Sequence, residues 1–361
     1  MSSENPELPY WLALTRCLKL GPKGFALLRG AFPTMSQVWG ASRSELLHAR
    51  LEVGVVEALL EHRRTTDVAQ SWGEVERLGL QLITITDEHY PKLLKEIYDP
   101  PALLFARGDL ATLEGAGLAV VGTRQATSYG LSTTKDLVAV LARSGFTIIS
   151  GLAYGIDTAA HRATLEAGGR TVAVMASGLD EVYPTANRHL AHDIVQHGGL
   201  WLSEFPPGTA PLKQNFPYRN RIIAGLSRGT LVIEAAPGSG ALLTAKHALE
   251  ANREVFAVPG NITSPTAAGT NELLKQGAHL VTSAEDILNV FGLAPAATVA
   301  LPTLEPELEQ LLQAIPREPI HLDNLARNLQ LPVSVLAPQL TLLELKGYLR
   351  DVGGQQYIRV V

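Results

Sequence analysis

From about residue 80 the sequence repeats one unit, a short and almost unbroken apolar run, then a loop, most often bearing glycine, then a stretch of helical periodicity. Strand-length runs that are apolar at nearly every position need both sheet faces covered. That is the property of a parallel sheet with helices on each side. Strands are expected at 81–86, 103–107, 118–121, 147–150, 171–176, 200–205, 230–235, 254–258 and 279–282, with helices at 128–143, 158–167, 187–196 and 241–251. The predicted fold is α/β, an extended Rossmann-like doubly wound sheet, mostly parallel, with an extra strand or two at its front edge.

In such a sheet the loops that follow strands emerge at the carboxyl edge, where ligands bind. Four of them carry glycine: one with Gly122, Thr123 and Arg124, one with Gly151, one at 177–180, and one with Ser239 and Gly240. A single glycine loop is as readily a tight turn. Four on one edge, with Arg124 in the first, describe an extended polyanion groove instead. Arg124 would clamp a phosphate bidentately or stack on a base, the alternative being a salt bridge to a neighbouring loop. The Pro237–Gly240 step into a helix would aim backbone N–H groups at an anion.

Between these loops, residues 213–228 gather Lys213, Arg219, Arg221 and Arg228 beside Phe216 and Tyr218, with Glu204 and Glu234 the nearest acids on either side. Cations for a backbone and rings for base faces are what an unpaired nucleic acid requires. Ile222, Ile223 and Leu226 mark the buried stripe of a helix. Helical periodicity then turns Arg221 away from the core, as the direct ligand contact. Arg219 falls near the core side, to touch the ligand or to act as a structural ion pair that shapes the loop. Phe216, just ahead of the helix, is assigned to stacking on a base rather than to the core.

Several chemistries are argued against. The chain lacks Gly-x-x-x-x-Gly-Lys-Ser/Thr, so Walker-type ATP hydrolysis is not expected. Ser150-Gly151 stands where a dinucleotide fold would hold its ribose with an acid, which argues against NAD. Asp157 and His161 share a helix face at acid–base spacing, but read better as an N-cap for a helix starting at Thr158 and as a packed histidine. No catalytic residue, metal site or cofactor is expected. The alternative is an N-glycosidase acting on nucleotide monophosphates. Enzymes of that kind carry Pro-Gly-Gly-x-Gly-Thr-x-x-Glu, and Pro237-Gly-Ser-Gly-Ala-Leu-Leu-Thr244 lacks its glutamate.

A net charge of −5 over 361 residues opposes nonspecific coating of duplex, so a nucleic-acid site must be local. One cysteine, Cys17, permits no internal disulfide and fits a reducing compartment. No apolar run is long enough to span a membrane, and the N-terminus has no basic segment followed by an apolar core. A cytoplasmic protein without membrane insertion is expected. The length suggests two or three domains.

Residues 1–75 read as helical and SAM-like, with Gly21-Pro-Lys-Gly24 resembling the turn of a helix-hairpin-helix, or as a small helical packing domain. The extended Rossmann-like domain spans 76–292. An Ala- and Pro-rich linker covers 293–302. Residues 303–361 hold three helices and a two-strand ribbon, a winged helix. Its third helix, 333–346, has Lys346 as its only cation, which favours a structural or protein-contact role over duplex binding.

At these loops the sequence resembles the DNA-processing protein A family, also called Smf. The resemblance rests on Val121-Gly-Thr-Arg124, on Ser150-Gly-Leu-Ala-Tyr-Gly-Ile-Asp-Thr-Ala-Ala-His161, and on Gly178-Leu-Asp-Glu-Val-Tyr-Pro184. It rests equally on Ser203-Glu-Phe-Pro-Pro-Gly208, on 216–227 and on Val258-Pro-Gly260. It implies single-stranded DNA binding, protection of incoming strands in natural transformation, and loading of the RecA recombinase with displacement of single-strand-binding protein. It also implies a homodimer formed through the sheet domain. Matched by motif, Arg124 lies in the family's Gly-Ser/Thr-Arg loop, Lys213 and Phe216 at its cation and stacking positions, and Arg219, Asn220 and Arg221 in its Arg-Asn-Arg block.

Overall fold

The computed structural model describes residues 5–294, 304–316 and 318–359. The chain divides into two compact units, Met1–Ala296 and Ala297–Val361.

The first unit opens with six helices: α1 (Leu8–Thr15), α2 (Pro22–Ala31), α3 (Met35–Gly40), α4 (Arg43–His48), α5 (Val53–Thr65) and α6 (Val68–Arg77). The Gly21–Gly24 segment is not a free turn. Gly21 is the N-cap of α2, and the next three residues form its first turn. A Cβ on Gly24 would stand 2.6 Å from Leu20 Cδ1, so that glycine serves close packing.

Nine strands follow: β1 (Gln81–Thr84), β2 (Leu103–Gly108), β3 (Ala116–Val121), β4 (Phe146–Ser150), β5 (Thr171–Val174), β6 (Leu200–Ser203), β7 (Gly229–Val232), β8 (Glu254–Ala257) and β9 (His279–Leu280). They form one sheet in the order β1-β2-β6-β5-β4-β3-β7-β8-β9. The pairs from β6 through β9 are parallel, while β1 and β2 are the antiparallel front edge.

A short helix α7 (Lys92–Lys95) precedes β2. The strands are then joined by α8 (Ser128–Arg143), α9 (Ile156–Glu166), α10 (Arg188–Gln196), α11 (Asn215–Gly225), α12 (Gly240–Glu250) and α13 (Ala268–Lys275), with α14 (Ala284–Val290) after β9. From β3 the chain winds outward through β4, β5 and β6, then crosses back to place β7 on the other side of β3. The two strands therefore part at their carboxyl ends, the switch point where open α/β sheets keep a crevice.

Strand alternation feeds two cores. Leu118 and Val120 pack with α8, α9 and α14, whereas Ala119 and Val121 face a larger core with α10, α11 and α12. That larger core is continuous with the front helices through Trp11, Leu12, Leu28, Leu46 and Leu59. Each such side chain, fully buried, contributes about 1.5–3 kcal/mol.

The second unit holds α15 (Pro306–Ala314), α16 (Leu322–Leu329) and α17 (Val333–Leu345). Strands β10 (Ile320–His321), β11 (Leu349–Asp351) and β12 (Gln356–Arg359) make a sheet in the order β10-β12-β11. The expected ribbon thus gains a third strand, from a two-residue segment too short to show alternation. From residue 295 on, the expected linker lies outside the described residues.

Candidate nucleic-acid interface

At the carboxyl ends of β3 and β7 lies a groove of about 570 Å³. Eight predicted residues line it: Gly122, Thr123, Arg124, Phe216, Arg219, Asn220, Ser239 and Gly240.

The Gly122–Arg124 loop is clamped from both sides. Thr123 N–H donates to the Glu234 carbonyl at 2.7 Å, and Thr123 C=O accepts from Ile156 N–H at 3.2 Å. A Cβ on Gly122 would meet Ile156 Cγ1 at 2.5 Å, so only glycine fits. The buried Glu234 carboxylate accepts from Thr127 N–H (3.0 Å) and Thr127 Oγ1–H (2.6 Å), while Thr127 Oγ1 caps α8 by accepting from Gly130 N–H. The loop thus presents an exposed Arg124 from a fixed backbone.

Opposite stands the first turn of α11. Asn215 anchors it by donating to the carbonyls of Ala176 and Ala210, each at 3.2 Å. The half-buried Phe216 has the Arg124 guanidinium 5.1 Å over its ring and that of Arg219 5.8 Å away. Tyr183, half-exposed, meets the same ring edge-on at 6.0 Å. Asn220 Nδ2 donates to the Gly240 carbonyl at 3.1 Å, tying α11 to the start of α12, where Ser239 Oγ accepts from Ala241 N–H.

Arg219 forms the floor. Its Nη1 donates to the carbonyls of Gly151 and Val174, both at 2.5 Å, and its Nε to Asn220 Oδ1 at 3.1 Å. Burial lowers its pKa to about 10, so it stays charged near neutrality, with Asp157 acting the other way. Gly151 lies beneath this guanidinium, and a Cβ there would fall 2.2 Å from Nη1. Gly151 therefore admits the arginine rather than lining the groove.

Asp157 is not an N-cap. It lies inside α9, whose N-cap is Gly155, and its Oδ2 accepts from Gly151 N–H (3.1 Å) and Ala153 N–H (3.3 Å). Burial raises its carboxyl above the usual range, against the pull of Arg219. His161 is fully buried. Its Nδ1 lies 2.7 Å from Thr171 Oγ1, which gives its own proton to the Ile148 carbonyl. The ring is therefore the neutral Nδ1–H tautomer, its pKa lowered to about 3 by burial and then by Arg219.

Besides Gly151, two predicted residues lie outside the groove lining. Lys213 is exposed, two residues before α11, and is not among the groove-lining residues. Arg221 corrects the stripe argument. It is buried, with Nε 3.2 Å from Asp99 Oδ2 and Nη2 on Glu204 Oε2. The reading failed because α11 is not a surface helix with one wet face. It is buried from Arg219 through Gly225 and packs on α12 and α7. Arg221, rather than Arg219, is thus the structural ion pair. Tyr183, within the Gly178–Pro184 motif, has no sequence signal that places it at the groove, because a single aromatic in a Pro-containing loop has no periodicity.

Burial, with Asp99 beside it, raises the Glu204 carboxyl to about 7 against the pull of Arg221. The folded chain then keeps a proton that the unfolded chain releases above its ordinary value of 4.5. This contribution is full below pH 4.5 and is lost as pH rises to about 7. Melting temperature measured across that window should fall with rising pH, and Glu204→Gln should flatten the slope.

Among the described residues no helix is long and apolar enough to cross a membrane. The carboxylate lining the groove is that of Asp157, occupied by backbone N–H groups.

The sequence matches the family described as DNA recombination-mediator protein A over residues 81–292, and the DprA winged helix domain over 295–355. It is 35% identical to Protein Smf of Synechocystis over 98% of this chain and 99% of that one. To the DNA processing protein DprA of Bacillus subtilis it is 49% identical over 58% of this chain and 70% of the other. Among solved structures it is similar to DNA processing protein A from Streptococcus pneumoniae, with TM-score 0.65 and 38% identity over 75% of this chain and 98% of that one. It is also similar to that of Helicobacter pylori, a structure described for its single-stranded DNA binding mode. There the TM-score is 0.53 at 32% identity, over 58% of this chain and 95% of the other.

Proposed function

The chain belongs to the DNA recombination-mediator protein A family, and from that premise we propose that the β3/β7 groove grips unpaired DNA and that the protein hands the strand to a recombinase. The observation that carries this reading is the Phe216 ring, half-buried under the Arg124 guanidinium in a groove edged by the start of α12. A ring flanked by cations accepts any base on its face and the phosphates beside it, with no need to read sequence. Arg219 keeps the floor positive, and Lys213, exposed nearby in sequence, adds a cation for the backbone. Arg221 takes no part, since two carboxylates hold it.

In this reading the partners are single-stranded DNA, the RecA recombinase and the single-strand-binding protein it displaces. The protein protects incoming strands in natural transformation, acts as a cytoplasmic homodimer and is not an enzyme. Its test is equilibrium binding of the full chain to single-stranded and duplex oligonucleotides over a salt series. Single strands should bind more tightly, and affinity should fall steeply with salt. Equal affinity for duplex would remove the groove assignment. RecA filament growth on strands coated with single-strand-binding protein should rise when the full chain is added.

A further inference from the structure

A second groove, of about 540 Å³, lies between α8 and α9 and shares Arg124 and Gln125 with the first. We propose that it carries the same DNA strand onward, so that the strand crosses Arg124 with one base on Phe216 and a later base on Tyr154. The proposal rests on the reading of the first groove and extends it to a site with its own ring and cations.

Tyr154 is 47% exposed and lines this second groove, and among the described residues no other ring covers it. Arg162 and Lys135 line it too, from α9 and α8. Among the described residues Arg162 makes no ion pair, and Lys135 reaches Glu166 at 3.0 Å with both side chains more than half exposed. With Arg124 the groove holds three cations against the one carboxylate of Glu166, and water screening leaves Lys135 able to exchange that partner for a phosphate. Ring and cations together are again the requirements of an unpaired strand.

The two grooves are held in fixed relation by Gly155. Its φ of +74° belongs to the left-handed region, and a Cβ there would stand 2.3 Å from the Thr123 carbonyl and 2.9 Å from Arg124 C. The turn that bears Tyr154 therefore rests directly on the backbone that bears Arg124. Arg124 and Gln125 line both grooves, so a strand leaving Phe216 for Tyr154 crosses these two residues.

The test compares oligothymidylates of about four and about twelve nucleotides, using the full chain and the Tyr154→Ala/Arg162→Glu double variant. The longer strand should lose about tenfold or more in affinity for the variant, while the short one loses far less. Equal loss on both lengths, or none on the longer, overturns the second groove and leaves the first standing. If the unaltered chain binds neither strand, the first groove falls and the second with it. Photocrosslinking of the unaltered chain to strands carrying 5-iododeoxyuridine at successive positions keeps the test independent of the variant's folding. A downstream base should label the peptide containing Tyr154, and labelling of Phe216 without Tyr154 overturns the proposal.

Discussion

Arg221→Ala should cost the first unit about 1–3 kcal/mol of stability, because it leaves the buried Glu204 carboxyl, then held protonated, without its hydrogen-bond partner. The Arg221 side chain is 7% exposed and that of Glu204 15%, so little water can compensate. The drop should read as a melting temperature lowered by about 5 °C. The pair is itself imperfectly satisfied: Arg221 Nη1 and Glu204 Oε1 have no hydrogen-bond partner among the described residues. Arg221→Met combined with Glu204→Leu should therefore recover most of the loss, as apolar replacements of buried pairs generally do. DNA affinity of the refolded double variant should stay near that of the unaltered chain. A large fall in affinity without a fall in melting temperature would return Arg221 to the groove.

Phe216→Ala should weaken single-strand binding by one stacking contribution, about 1–3 kcal/mol or roughly five- to 150-fold. Phe216→Trp should retain affinity, since any flat ring serves. Arg124→Ala should weaken it as well, and should shallow the salt dependence by losing a phosphate contact. The two losses should not add. The Arg124 guanidinium lies 5.1 Å over the Phe216 ring, so removing either disturbs the other, and a double-mutant cycle should give a nonzero coupling. Strict additivity would mean that the ring and the guanidinium act apart.

The sheet was readable because burial on two faces writes itself as short apolar runs bounded by turns. The same signal misjudges where a strand stops. Met175, Ala176, Ile233 and Ala235 remain buried past the last ladder pair of β5 and β7, and an apolar run cannot separate burial in a loop from burial in a strand. The groove was readable in part because glycine loops after parallel strands must share one edge. The expectation failed where a helix is covered on several sides. For α11 no stripe distinguishes Arg219, which forms the floor, from Arg221, which faces Glu204 on another side. Asp157 was misplaced for a related reason, since an acid near a helix start looks like a cap whether it bonds its own helix or the loop before it.

The apolar interior that joins Trp11, Leu28 and Leu59 to Leu104 and Trp201 runs without a break from the front helices into the sheet. A cut near residue 75 would not liberate an independent module. It would bare a greasy flank along the antiparallel edge, inviting aggregation, and the two fragments would be expected to lose structure together. The front helices belong to the folding unit of the sheet, whatever else they touch.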